Sequence, residues 1–386
     1  DGHVGAPTEW HDGSYSPPSL TQKPAFVLRP AQIDVALIGQ PLPWDLFTES
    51  GVLVAGAGLV IADEAHYLNL IGRPLYRKCN AGAEAGYWLE RLEALGHRAD
   101  VLLSGPREGL EMDALPRLCR DLAAVFQADA DACLGYPRLV PLARPSVAHC
   151  LQVMFYCLLL ADQLELSERE RLSLAGAALT MNMADLDFHD WLAWQAGPGT
   201  EEERTRLRAH PDHAVELLRS LGIDDPLWLD TVRQHHENMD GSGYPDGIEG
   251  ARIVLTARIL RVADLYCART SARHYRPPRS GRYALRELFG RQRGQLDSQV
   301  AVQLLRRVGW YPPGTLIRLA SREHACVTRR NRNGFIRFAV SFLDGRGRPF
   351  DPPRERDLTT RTHRSRGVLE LDPDWPKIEW KQLWGY

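Results

Sequence analysis

Two adjacent histidines, His235 and His236, end a stretch with helical periodicity and are followed at once by a glycine-rich turn. Imidazoles are the commonest metal ligands in proteins, and the glycines and the proline of the turn predict a rigid loop directly beside them. A bare pair of histidines is more often a solvated helix end than a metal site. The whole string is much rarer by chance: His235-His236-Glu237-Asn238-Met239-Asp240-Gly241-Ser242-Gly243-Tyr244-Pro245.

This string resembles the signature of the HD-GYP family, bacterial proteins whose catalytic members are metal-dependent phosphodiesterases that hydrolyse cyclic di-GMP. Further landmarks of the family follow in order. His149 stands where the family places its first histidine, and His210 begins its His-Pro pair. Residues 258–264 resemble the segment that ends in a late metal-binding aspartate, here Asp264. Residues 270–276 resemble its TSxRPYR stretch, with a histidine in place of the proline.

The histidine and aspartate that name the superfamily are missing from their expected place. Counting back from His210 by the family's spacing reaches Met181 and Asn182, and the lysine of the same motif is read as Asp185. A literal His-Asp pair occurs at 189–190, but the count to His210 and the preceding apolar run both argue against it as a displaced motif. The chain is therefore interpreted as a degenerate member.

The three replacements argue against hydrolysis. A phosphodiester is commonly hydrolysed by two metal ions that share a bridging carboxylate, which in the family is the missing aspartate. The amide of Asn182 lacks the charge to replace that bridge, and the thioether of Met181 is a poor ligand for Mn, Fe(II) or Mg. Asp185 reverses the charge of a lysine that would contact a phosphate.

Five candidate metal ligands remain. His210, His235 and His236 could hold one divalent ion, Fe or Mn, completed by Asp264 or water. His149 is also a candidate, although its partners at the first metal position are gone. The alternative is that these imidazoles are hydrogen-bonded core residues of an inherited helix bundle that binds no cofactor.

Two further groups of residues are candidates for recognition. Arg273 and Arg276 could pair with the phosphates of cyclic di-GMP and Tyr275 could lie against a base, unless they form a solvated basic helix end. The loop Gly243-Tyr244-Pro245 is a candidate interaction surface, because its proline stiffens it and its tyrosine is an amphipathic anchor. In some relatives this loop is linked to contact with diguanylate cyclase domains, and the resemblance permits such a partner here.

The composition limits the class of protein. The 386 residues are 44% hydrophobic and 25% charged, which predicts a globular protein of two or three domains. The 47 basic and 49 acidic residues nearly cancel, so no overall field favours DNA or acidic lipids. The seven cysteines form no CxxC, which argues against a disulfide framework and favours a cytoplasmic protein. No apolar run approaches the length of a membrane span.

The elements that must position these residues are mainly helical. The predicted fold class is an HD-type helical bundle with a small N-terminal β-rich module and a short C-terminal β appendage. The predicted organisation is a flexible tail over 1–30, an α+β module over 31–80, a helical connector over 81–139, the HD-GYP helical domain over 140–310 and the β appendage with a Trp-rich tail over 311–386.

Within the helical domain, apolar spacing predicts the helices that carry the candidate ligands. Ser167 opens a capping box for one of them. The predicted elements are helices over 146–164 and 167–179, a loop over 185–199, two separate helices over 201–207 and 210–221, a helix over 225–237 that delivers the paired histidines, and a helix over 252–267 that bears Asp264. A bundle of long helices with an exposed loop is compatible with a homodimer.

The preferred hypothesis is a regulator of bacterial cyclic di-GMP signalling that binds the nucleotide or a partner protein and hydrolyses it poorly or not at all. The alternative is an active phosphodiesterase with a single metal on His210, His235, His236 and Asp264. A third hypothesis, a structural scaffold, requires neither nucleotide nor metal.

Overall fold

The computed structural model describes residues 26–30, 37–42, 44–48, 51–71, 75–80, 83–106, 111–195, 199–271, 280–290, 294–330, 336–372, 374–376 and 379–384. The chain forms two compact units, Asp1–Ala85 and Gly86–Tyr386. Of the predicted N-terminal tail, residues 26–30 are described, and they form a strand.

The first unit contains a small antiparallel sheet and one helix. Its strands are β1 (Phe26–Pro30), β2 (Leu46–Phe47), β3 (Leu53–Ala55) and β4 (Tyr76–Asn80), and their order in the sheet is β1-β4-β2-β3. Helix α1 (Glu64–Ile71) follows β3. Leu46, Ile61 and Leu70 belong to its small apolar core.

Helices dominate the second unit, so the prediction of a mainly α fold with small β modules is confirmed. The first of these helices begins at the boundary between the units. They are α2 (Ala83–Ser104), α3 (Ala114–Ala128), α4 (Ala130–Leu139), α5 (Pro145–Gln163), α6 (Glu168–Thr180), α7 (Leu186–Trp194), α8 (Glu201–Ser220), α9 (Pro226–Gln234), α10 (Leu255–Thr270), α11 (Gly281–Gly290), α12 (Ser298–Val308) and α13 (Trp380–Leu383).

Helix α5 is the centre of the bundle and is apolar on all sides, as expected of a helix surrounded by other helices. It packs against α4, α6, α10 and α12. By length and composition it is the one described helix that could cross a membrane, but 78% of the qualifying stretch is buried inside the protein. That burial is the environment of a core helix.

Helix α6 brings α9 close to the bundle. The predicted capping box at its start is confirmed, since the Ser167 side chain accepts from the Glu170 N–H and the Glu170 carboxylate accepts from the Ser167 N–H. A Cβ added at Gly176 would lie 2.4 Å from the ring of Trp228 on α9. The same ring donates its Nε1–H to Thr180 Oγ1 at 3.0 Å. The missing side chain at 176 therefore fixes the approach of the helix that ends in the paired histidines.

Two local predictions are wrong. Residues 185–199 are not a loop throughout, because α7 occupies most of the segment. The short α7 buries only Leu186 and Phe188, and its remaining apolar residues follow one another over 191–194, so its sequence shows no clear helical period. The separate helices over 201–207 and 210–221 are one helix, α8, which continues through Pro211.

The C-terminal strands form a five-stranded antiparallel sheet. They are β5 (Leu316–Leu319), β6 (His324–Cys326), β7 (Phe338–Leu343), β8 (Pro349–Asp357) and β9 (Ser365–Val368), in the order β8-β7-β6-β5-β9. The Trp-rich segment after them is packed: Trp380 and Trp384 are buried, and a Cβ on Gly135 of α4 would lie 2.5 Å from the Trp384 ring.

Candidate functional site

His210 is oriented by the proline that follows it. Pro211 has no backbone N–H, so the carbonyl of Leu207, one helical turn earlier in α8, loses its helical partner. The Nδ1–H of His210 donates to that carbonyl instead, at 2.6 Å. The ring proton therefore lies on Nδ1, and the Nε2 lone pair of this fully buried histidine is available to a cation.

His235 reaches the same protonation state at the end of α9. The last carbonyl groups of a helix have no N–H partner within it. His235 is the C-cap residue, and its Nδ1–H donates to the carbonyl of Val232 at 2.5 Å. Its Nε2 therefore also carries a lone pair inside the protein.

The two Nε2 atoms of His210 and His235 face each other at 3.3 Å. Two lone pairs at this distance repel unless a cation lies between them. With metal–nitrogen bonds of about 2.1 Å, two ligands at a tetrahedral angle lie about 3.4 Å apart, so the observed separation fits one bound ion. A ligand atom of His236 lies within 4.8 Å of both, which makes the three imidazoles a potential metal-binding group.

The environment keeps these imidazoles neutral, which is the form that binds metals. Burial, with a contribution from the neighbouring His210, lowers the pKa of His235 to about 3. Burial also lowers the pKa of His210 and, strongly, that of His236, where His235 adds to the effect. Protons therefore compete little with a metal at neutral pH.

His236 differs from its neighbours in its hydrogen bond. Its Nδ1 accepts from a guanidinium N–H of Arg261 at 3.0 Å, and the same guanidinium donates to Asn238 Oδ1 at 3.2 Å. The ring of Tyr244 stacks on His236 with centroids 4.7 Å apart and planes at 19°. Burial lowers the pKa of Arg261 from its usual value, and the carboxylate of Asp264 opposes that change.

His149 and Asp264 form a separate pair. His149 Nε2 lies 2.8 Å from the Asp264 carboxylate. Burial alone would raise the pKa of Asp264, but the hydrogen bond and charge of His149, together with the charges of Arg261 and His235, outweigh it, and the pKa lies below its usual value. The Asp264 charge also acts on His210 and His235, so this carboxylate faces the same interior while it is bonded to His149.

The replaced residues follow directly after α6. Met181 is the C-cap of that helix and is 1% exposed. The buried Asn182 lies with its amide nitrogen 4.0 Å from the Cys150 sulfur. Asp185 caps α7 and accepts two hydrogen bonds from Arg206, at 2.7 and 2.5 Å. The reversed charge that the sequence predicts at 185 is thus neutralised by a neighbouring arginine.

His189 is a residue of the site that the sequence argument set aside. Its ring centroid lies 5.0 Å from that of His210, and its Nε2 is buried without a hydrogen-bond partner among the described residues. Burial lowers the pKa of His189 to about 3, with a further contribution from His210. Asp190 points elsewhere and accepts from Ser146 N–H and Arg144 at the start of α5. The one sequence signal for His189 was its place in a literal His-Asp pair.

The loop after the paired histidines is held by hydrogen bonds to its acidic residues. Glu237 Oε1 accepts from the N–H groups of Asp246 and Gly247, at 2.7 and 3.1 Å. Asp240 Oδ1 accepts from Ser242 N–H and Oγ–H. Because the Tyr244 ring packs on His236, the loop and the metal-binding group form one structure.

The sequence-predicted set is brought together in part. His210, His235 and His236 converge, and Asp264 and His149 lie nearby as a bonded pair. Gly243, Tyr244 and Pro245 close the loop beside them. The three candidate nucleotide-binding residues lie outside the described residues: Arg273, Tyr275 and Arg276.

Comparisons with known proteins point to one family. Residues 132–300 match the HD domain family model. The chain is 28% identical over 242 residues to a cyclic di-GMP phosphodiesterase from Pseudomonas aeruginosa, covering 62% of this chain and 58% of that protein. It is 38% identical over 154 residues to the cyclic di-GMP phosphodiesterase response regulator RpfG from Xanthomonas campestris pv. campestris, covering 39% of each.

A third relative acts on a different dinucleotide by name. The chain is 32% identical over 143 residues to a 3'3'-cGAMP-specific phosphodiesterase from Vibrio cholerae, covering 37% of this chain and 31% of that protein. The chain spans less than two thirds of the length of each of these three relatives.

Proposed function

We propose that this chain, which belongs to the HD-GYP family, is a cyclic di-GMP-binding regulator that holds one metal ion and hydrolyses the nucleotide slowly or not at all. The observation that carries the proposal is the pair of Nε2 atoms on His210 and His235, 3.3 Å apart. At the positions where the family carries its His-Asp pair, Met181 and Asn182 supply no carboxylate to bridge a second ion.

The residues present fit a single divalent ion. His210 and His235 would hold it, and Fe or Mn is the expected metal for imidazole ligands that carboxylate or water completes. A bound ion supplies a Lewis acid for a phosphoryl oxygen. The protein's own contribution is orientation: the carbonyls of Leu207 and Val232 fix both rings, and burial keeps them unprotonated.

Weak hydrolysis is expected because neither Asn182 nor Asp264 can bridge two metal ions. A bridging carboxylate must reach two ions, but Asn182 is a neutral amide and Asp264 is bonded to His149. Without a bridging carboxylate, the residues present would not hold a second ion beside the first. The site can therefore bind an anionic ligand better than it can cleave one.

The proposed ligand is a cyclic dinucleotide. Cyclic di-GMP has priority, because two of the relatives act on it by name, and 3'3'-cGAMP is the second candidate because another relative acts on that compound. Arg273, Tyr275 and Arg276 remain the predicted contacts to phosphate and base. A diguanylate cyclase partner at the Gly243-Tyr244-Pro245 loop, a homodimer and a cytoplasmic location also remain predictions.

An active phosphodiesterase is the second candidate function. The observation in its favour is that three imidazoles, rather than two, each have a ligand atom within 4.8 Å of those of the others, which is enough for a catalytic mononuclear site with an open position. In that case His236 joins His210 and His235 as a ligand, and Asp264 or water completes the set.

The test is a paired measurement on protein loaded with Mn or Fe(II) under anaerobic conditions. Isothermal titration with cyclic di-GMP and with 3'3'-cGAMP measures binding, and chromatography of the same mixtures measures linear dinucleotide and mononucleotide products. Binding of either dinucleotide with less than about one turnover per hour supports the regulator. Rapid product formation supports the phosphodiesterase, and a failure to bind either compound supports the scaffold.

A further inference from the structure

We propose that Arg261 is an anion-binding residue of this site, which contacts a phosphate oxygen of the ligand and at the same time keeps His236 from binding the metal. The first half rests on the proposed function and names the group that recognises the phosphate. The second half concerns the protein alone and stands without any nucleotide.

The guanidinium of Arg261 lacks a carboxylate partner. Among the residues that the structure describes, no carboxylate oxygen lies within 4.0 Å of it. Its partners are neutral, His236 Nδ1 and Asn238 Oδ1, and its buried Nε has no hydrogen-bond partner. By contrast, the buried guanidinium groups of Arg171 and Arg330 each pair with a carboxylate.

A buried cation with neutral partners is costly, because it has lost water and gained no opposite charge. Asp264 is the acidic group that acts on Arg261 at longer range, but its carboxylate is bonded to His149. The unused N–H groups of Arg261 are donors in a planar arrangement that matches phosphate oxygens. An anionic ligand over the histidines would therefore supply the missing partner.

The hydrogen bond from Arg261 also decides where the proton of His236 lies. A guanidinium has donors only, so Nδ1 of His236 must be the acceptor and the neutral ring carries its proton on Nε2. His210 and His235 have the opposite arrangement, since their Nδ1–H groups donate to carbonyls. Arg261 thus leaves two lone pairs for a metal and blocks the third.

This arrangement predicts opposite effects of one substitution. Arg261→Ala removes the phosphate contact, so it is expected to weaken cyclic di-GMP binding at least ten-fold by isothermal titration. It also frees His236 to carry its proton on Nδ1 and to bind metal through Nε2. We therefore expect Mn²⁺ to bind at least five-fold more tightly to the nucleotide-free variant, and the Co²⁺ absorption spectrum to change with the added nitrogen ligand.

Arg258→Ala is the matched control. Arg258 lies one turn earlier on α10 and pairs with Asp297 at 2.9 Å. Arg258→Ala is expected to change the affinities for cyclic di-GMP and for Mn²⁺ by no more than about two-fold. The double variant Arg261→Ala with His236→Ala should lose the gain in Mn²⁺ affinity, because the new ligand is then absent. Thermal unfolding of all four proteins shows whether each variant is folded.

The outcomes separate this proposal from the proposed function. If the wild-type chain binds no dinucleotide, the proposed function fails, and titration with inorganic phosphate and with Mn²⁺ decides the role of Arg261. Weaker phosphate binding with tighter Mn²⁺ binding in Arg261→Ala supports the proposal. Unchanged anion affinity, or an unchanged Co²⁺ spectrum and Mn²⁺ affinity, in the folded variant would overturn it.

Discussion

The two sides of the site use their side chains differently. On one side, the Nδ1–H groups of His210 and His235 donate to backbone carbonyls, and the Nε2 lone pairs of the two rings face each other. On the other side, His149 and Asp264 bond each other, and Asn182 contacts a cysteine. The difference teaches that a histidine of this site remains available to a metal only where a backbone carbonyl accepts a hydrogen bond from its other ring nitrogen. The first side therefore offers two ligand atoms to an ion, whereas the side chains of the second side contact other groups of the protein.

The largest expected effect comes from removing one histidine from each side. His235→Ala takes away one of two converging lone pairs and is expected to weaken Mn²⁺ binding by about 100-fold or more. His149→Ala removes a residue that is already bonded to Asp264, so the affinity should change by less than about three-fold. Isothermal titration and metal content after dialysis measure both. Equal losses in the two variants would erase the distinction between the sides.

Lowering the pH should destabilise the folded protein through His235, which lies on the first side of the site. Its pKa in the folded protein is about 3, against an ordinary value of 6.5, so the unfolded chain binds more protons between these values. Stability is therefore fully present above pH 6.5 and falls as the pH is lowered toward 3. At pH 5 the loss from this residue is about 2 kcal/mol.

Denaturant unfolding of metal-free protein between pH 7 and pH 5 measures this loss. His235→Gln removes the titrating ring and should flatten the dependence, although other buried histidines leave part of it. A wild-type stability that does not fall over this range would mean that His235 is not held neutral by burial.

Much of the site's framework could be predicted from the sequence. The resemblance to the HD-GYP pattern implied that His210, His235 and His236 meet, and a ligand atom of each lies within 4.8 Å of those of the other two. The capping box at Ser167 was predicted because both of its partners are close in sequence. Such features depend on local hydrogen bonds or on a strong motif.

The remaining features depend on contacts between distant segments. The sequence predicted two helices separated between 207 and 210, but the His210 ring replaces the N–H that Pro211 lacks and α8 continues. The direction of His189 depends on the packing of α7, and the hydrogen bond of Arg261 to His236 joins α10 to the turn that follows α9. No periodic pattern in the sequence indicates any of these contacts. The sequence therefore predicts the residues of the first side, whereas their protonation states follow only from the structure.

Restoring the missing pair would test the second side. Met181→His with Asn182→Asp returns an imidazole and a carboxylate to the end of α6, and we expect a second bound metal and about a ten-fold rise in hydrolysis of cyclic di-GMP. Metal analysis and product chromatography measure the two effects. Met183→His with Asn182→Asp is the control, because Met183 is another buried methionine of the same turn. No gain over that control would show that the second side is closed for reasons beyond these two residues.

The smallest expected effect concerns the loop that covers His236. A Cβ at Gly243 would lie 2.4 Å from the backbone nitrogen of Asn238 and 2.5 Å from Glu237 Cα, so Gly243→Ala must shift the loop and loosen Tyr244 from His236. The expected cost is about 1 kcal/mol of unfolding free energy. Mn²⁺ affinity should stay within about three-fold, because His210 and His235 are held by α8 and α9.

Gly290→Ala is the control for that variant, since a Cβ there meets nothing within 4 Å, and its stability should stay within about 0.5 kcal/mol of the wild type. Chemical denaturation and Mn²⁺ titration of both variants give the comparison. If Gly243→Ala weakened Mn²⁺ binding as strongly as His235→Ala, the loop would have to be counted among the elements that hold the metal ligands, since the two helices alone would not be sufficient.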